Sequence, residues 1–91
     1  MKGKLICYEL VDVTPSERTM FHRKLYGYKD HSNSGKYTYK RPGLIQDIEG
    51  KKIIDAVLFV ESEEAMKKVT DLLQEYGTKT YVFDVLSEIE F

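Results

Sequence analysis

Ile53-Ile54-Asp55-Ala56-Val57-Leu58-Phe59-Val60 holds the longest apolar run of the chain, and the rest of the architecture is expected to assemble around it. Eight residues rich in β-branched and aromatic side chains read as one buried strand over 53–60. Immediately after it, Ser62 is placed to cap a helix in which Ala65, Met66, Val69, Leu72, Leu73 and Tyr76 form one wide apolar face, ended by Gly77. Thr80–Leu86 (TYVFDVL) then reads as the last strand.

Before the central run, Leu44–Lys52 is a loop or helical turn closed by Gly50, and Lys36–Arg41 (KYTYKR) is a short solvent-facing strand ended by Pro42-Gly43. Lys4–Val13 (KLICYELVDV) has strand composition. Thr14-Pro15-Ser16-Glu17 is a helix start, with Thr14 as cap, Pro15 in the first turn and Glu17 as capping-box partner. That helix should run to Tyr26, stop at Gly27 and bury Phe21 and Leu25.

The order β-α-β-β-α-β predicts an α+β, ferredoxin-like sandwich. Its four-stranded antiparallel sheet would have order 4-1-3-2, with two helices on one face. Period-two alternation assigns Ile6, Tyr8, Leu10, Ile54, Ala56, Leu58, Val60, Tyr81, Phe83 and Val85 to the helix side, because that set carries no charge. The open face would hold Leu5, Cys7, Val11, Ile53, Val57, Phe59, Val82 and Leu86, with one carboxylate per strand: Glu9, Asp55 and Asp84. A face that apolar predicts an interface, in the first place a homodimer packed sheet to sheet. If the three carboxylates converge, the same face could instead bind a hard cation such as magnesium.

The chain has 91 residues with 42% hydrophobic composition, enough for one domain spanning 1–91 and too short for two. A domain this size buries roughly 60–65% of its unfolded surface, so association would help it. One cysteine excludes an internal disulfide framework and a multi-cysteine zinc site. Cys7 reads as a small buried hydrophobe. No apolar run is long enough to span a membrane, and no secretory leader is recognisable, so a cytoplasmic protein is expected.

Charge is unevenly spread. Although the net charge is -1, Arg18–Arg41 carries seven basic residues against the single acid Asp30. Both histidines, His22 and His31, and four of the seven tyrosines lie there too. Lysine and arginine neutralise phosphates and tyrosine rings stack on bases, so this composition predicts binding of RNA or single-stranded DNA. The expected contacts are Lys36, Lys40 and Arg41 on phosphates, Tyr37 and Tyr39 stacking, Asn33 and the Gly35 amide fixing a loop, and Arg23, Lys24 and Lys29 extending the basic track. Against it, the RNA-recognition aromatic motif is absent from 53–60, and dedicated nucleic-acid binders are basic overall. A non-enzymatic binding module is the first reading. A homodimeric protein-interaction domain is the alternative, and a metal-dependent nuclease using Glu9, Asp55 and Asp84 the third.

Ser34-Gly35-Lys36 is not a phosphate loop, since Asp30 and Tyr37 stand where Gly and Ser or Thr are required. His22 and His31 could serve as acid and base for RNA cleavage, or be ordinary exposed histidines. No cofactor is expected. The run Leu25–Gly43 (LYGYKDHSNSGKYTYKRPG) resembles a signature of a family of small uncharacterised archaeal proteins. The resemblance implies an archaeal, thermophilic source, compatible with the low Asn and Gln content, and carries over no functional residue.

Overall fold

In the computed structural model, which describes residues 2–31 and 38–88, the chain enters at once into strand β1 (Lys2–Glu9). Helix α1 (Pro15–Tyr26) follows, and its start is the expected capping box. Thr14 Oγ1 accepts from the Glu17 amide at 3.1 Å, while Glu17 Oε1 accepts from the Thr14 amide at 3.3 Å. Strands β2 (Tyr28–His31) and β3 (Thr38–Arg41) come next, then the single-turn helix α2 (Leu44–Asp47). The chain continues through β4 (Lys51–Ile54), β5 (Val57–Val60), helix α3 (Glu63–Glu75) and β6 (Lys79–Leu86). Ser62 caps α3, its Oγ accepting from the Ala65 amide at 3.0 Å.

The molecule is α+β, with a four-stranded antiparallel sheet in the order β4-β5-β1-β6. Three of the four expected neighbours are therefore present: the last strand, the first and the central one lie side by side. The fourth is not. The order 4-1-3-2 of a ferredoxin-like sandwich needs the strand expected over 36–41 at the edge, and its described part, Thr38–Arg41, instead pairs with β2 in a separate two-stranded ribbon. Its place is taken by β4, because Ile53–Val60 is not one strand. It folds back at Asp55-Ala56 into a tight hairpin, with Ala56 at φ 64 and a register irregularity between Lys52 and Ile54. A turn with neither Gly nor Asn is invisible to pattern reading.

The helix side of the sheet carries the core. Ile6, Tyr8, Leu58 and Val60 pack beneath Phe21 and Leu25 of α1, Ile45 of α2, and Ala65, Val69 and Leu73 of α3. Edge-on aromatic contacts tie Phe21 to Tyr8 and to Tyr76, both at 5.3 Å between ring centres.

The two sides of β6 are exchanged relative to expectation. Phe83 lies opposite Leu5 and Tyr81 opposite Cys7, on the open face, whereas Val82 lies opposite Ile6 and Asp84 opposite Lys4. The expectation assumed that no charge belongs on the helix side. Asp84 sits there because Lys4 Nζ binds it and also reaches Glu63 of α3, at 3.2 Å. The open face accordingly presents Tyr81 and Phe83, 54% and 53% exposed, beside half-buried Leu5, Cys7 and Val57. Gly3 is required on that face, since a Cβ there would lie 2.6 Å from Phe59 Cζ. No helix among the described residues is long and apolar enough to cross a membrane.

Candidate functional site

The β2–β3 ribbon contributes nothing to the core and stands clear of the sheet. Its neck is where α1 ends. Gly27 has φ 80 and ψ -177, and a Cβ on it would run into the Arg41 carbonyl oxygen and come within 2.8 Å of the Gly43 amide nitrogen. Gln46 fastens the neck to α2, its Oε1 accepting from the Gly43 amide at 2.7 Å while its Nε2 donates to the Tyr26 carbonyl at 3.3 Å.

Cross-strand register then sorts the ribbon's side chains. Tyr28 opposes Arg41, Lys29 opposes Lys40, Asp30 opposes Tyr39 and His31 opposes Thr38. Rows alternate between faces, so Lys29, Lys40, His31 and Thr38 share one face and Tyr28, Arg41, Asp30 and Tyr39 the other. On the tyrosine face Arg23 of α1 lies over the Tyr28 ring at 4.6 Å, and Arg41 pairs with Asp30 at 3.2 Å beside the Tyr39 ring. Tyr39 is 53% exposed. The opposite face is a like-charge pair, Lys29 and Lys40, both exposed and flanking a groove of about 420 Å³ at the ribbon's base. Neither forms an ion pair among the described residues.

Of the residues expected to bind nucleic acid, Arg23, Lys29, Tyr39, Lys40 and Arg41 are thus gathered on or against one ribbon. Lys24 is not. Its Nζ pairs with Glu75 of α3 at 3.0 Å over the Tyr76 ring, a packing role between helices, and Glu75 raises its pKa above the ordinary lysine value. Asn33, Gly35, Lys36 and Tyr37 lie outside the described residues.

The carboxylates Glu9, Asp55 and Asp84 are not brought together. Asp84 is held by Lys4, and Glu9 stands five residues further along β1 beside Lys79, roughly 17 Å away at strand spacing. Asp55 pairs with Lys52 at 2.9 Å in the hairpin. Among the described residues no group of three or more His, Cys, Asp or Glu is placed to hold a metal. The two histidines are also apart in role: His31 Nδ1 contacts Thr38 Oγ1 at 3.3 Å on the ribbon, whereas His22 lies in a cleft beside the sheet.

That cleft, about 570 Å³, was not anticipated. Arg18, His22 and Tyr26 line it from α1, facing Tyr8 of β1 and Lys52 and Asp55 of the β4–β5 hairpin. The signal in the sequence is their spacing of four, a polar stripe beside the buried Phe21–Leu25 stripe on the same helix. The Tyr8 and Tyr26 hydroxyls are 2.7 Å apart, and burial with that bond raises the Tyr8 pKa far above an ordinary phenol. Lys52 Nζ is 4.8 Å from the centre of the Tyr26 ring. Burial, then Arg18 and Lys52, hold the His22 pKa below the ordinary imidazole value. Compared with protein-family models, curated proteins and solved structures, the chain matches none.

Proposed function

We propose that the chain is a nucleic-acid-binding module whose contact element is the β2–β3 ribbon, with RNA or single-stranded DNA as ligand. The observation that carries the reading is Lys29 directly opposite Lys40, exposed and without a counter-ion among the described residues. Two like charges facing each other across an antiparallel pair weaken it. An anion lying between them turns that repulsion into attraction. A two-stranded ribbon of alternating cations and rings presents phosphate contacts on one side and a stacking surface, Tyr39, on the other.

The test is fluorescence anisotropy with labelled single-stranded RNA and a duplex of the same sequence, across a salt series. Each lysine that neutralises a single-strand phosphate contributes about 0.7 to the slope of log affinity against log salt. Lys29→Ala with Lys40→Ala should therefore flatten the slope by about 1.4. Tyr39→Ala should cost roughly 1–3 kcal/mol on single strands and little on duplex. No binding at low salt, or an unchanged slope in the double variant, overturns the reading.

A second reading concerns association, and the edge of the sheet favours it. β6 is an eight-residue edge strand that carries exposed Tyr81 and Phe83 on its open face. Long edges with apolar sides invite pairing with another chain. A homodimer joined there would leave both ribbons free.

A further inference from the structure

The cleft beside α1 has a chemistry of its own, distinct from the ribbon's. Its volume of about 570 Å³ falls in the range of small-molecule pockets. Its polar groups come from three separate elements: Arg18, His22 and Tyr26 from α1, Tyr8 and Glu9 from β1, and Lys52 with its partner Asp55 from the hairpin. Arg18 forms no ion pair with any described residue. The Tyr8–Tyr26 hydroxyl pair shares one proton internally, which leaves its second O–H as a donor. Cations on two walls, with an uncharged donor between them, suit an acceptor whose oxygens point in several directions. A phosphate has that shape, whereas a carboxylate offers two coplanar oxygens.

We propose that this cleft binds the phosphate group of a small phosphorylated molecule, with Arg18 and Lys52 as its cations and the Tyr8–Tyr26 pair as its neutral donor. Lys52 would exchange its bond to Asp55, an almost fully exposed carboxylate, for the ligand. His22 faces Arg18, Lys52 and Asp55, and Glu9 lines the same cleft. An added dianion counters the two cations that disfavour its protonated form, so ligand binding draws a proton onto His22.

The test follows the ring signals of His22 by NMR in the full chain, titrated separately with inorganic phosphate and with phenyl phosphate. Sodium chloride at matched ionic strength serves as control. Saturable shifts with both phosphates, and a His22 titration midpoint that moves upward when they are bound, are expected. Tighter binding of phenyl phosphate assigns the site to an organic monoester, and equal binding to the free ion. Arg18→Ala and Lys52→Ala should each weaken binding by about tenfold or more. Lys29→Ala with Lys40→Ala should leave it unchanged, which separates this site from the ribbon. Shifts that chloride reproduces, or that survive Arg18→Ala undiminished, overturn the proposal.

Discussion

Replacing Gly27 by alanine tests the neck of the ribbon, and Gly77 supplies an internal standard. Gly27 has φ 80 and ψ -177, a region that is essentially glycine's alone, so a Cβ there costs about 1–3 kcal/mol in backbone strain. The new atom would also meet the Arg41 carbonyl oxygen, the Gly43 amide nitrogen at 2.8 Å and the Pro42 carbonyl carbon at 3.0 Å. All three are main-chain atoms of the returning chain, at and just after the end of β3, and cannot rotate aside. Relief requires the ribbon to move, which loosens the hydrogen bonds of Gln46 to Gly43 and Tyr26, at roughly 1 kcal/mol each. Alanine restricts the unfolded chain and returns about 0.4–1 kcal/mol. The net loss is therefore roughly 2–4 kcal/mol. Gly77 has φ 62 with no atom within 4 Å of the added carbon, so Gly77→Ala incurs only the left-handed backbone cost, a net of roughly 0.5–1 kcal/mol. For a domain of this size the expected drops in Tm are roughly 10–30 °C and 2–8 °C. Paired thermal and urea unfolding, with unchanged m-values, measures both. Equal losses in the two variants would refute the steric argument and leave only the backbone conformation.

Three further outcomes are expected. Glu49 is exposed with φ 54 just after α2, so Glu49→Gly should raise stability by roughly 0.5–1 kcal/mol in the same unfolding assay. Lys4 lowers the Asp84 pKa below 3.8, and the pairing raises Lys4 above 10.5. The carboxylate's contribution is present above pH 3.8 and lost as pH falls through its folded value. The ammonium's is present below pH 10.5 and lost as pH rises through its folded value. The Tm advantage of the native chain over Lys4→Met should therefore be flat between those limits and shrink outside both; a constant advantage would contradict the pairing. Phe83→Lys, on the exposed face of β6, should convert a dimer to a monomer in light scattering, and a native chain already monomeric at high concentration would dispose of the edge-pairing reading.

What pattern could supply was local. Thr14 with Glu17, Ser62, Phe21 with Leu25, and the apolar face of α3 are all set by residues within a few positions of each other, and they appear where expected. What pattern could not supply depended on pairing at a distance. Asp55-Ala56 turns without glycine because hydrogen bonding between β1 and the hairpin, including the Tyr8 amide to the Ala56 carbonyl at 3.0 Å, holds a conformation its residues do not advertise. Asp84 was assigned to the open side because its partner lies eighty positions away. The ribbon's basic and aromatic residues were legible from composition, but their division into a lysine face and a tyrosine face needed the register. The cleft needed the same hairpin that composition concealed, for Lys52 and Asp55 reach it only after the turn.

The contact between Gly27 and Gly43 has a consequence for how the protein could change over time. The chain leaves the domain at one glycine and comes back at the other, so the fifteen positions between, 28–42, form an excursion that begins and ends at nearly one point. No described residue of that excursion belongs to the core. The side chains of its described strands, 28–31 and 38–41, can therefore be rewritten without altering a packing contact of the core. Selection acting on the ligand and selection acting on the fold would fall on largely separate sets of residues, meeting at those two glycines, at Gln46 that fastens them and at Arg23 over the Tyr28 ring.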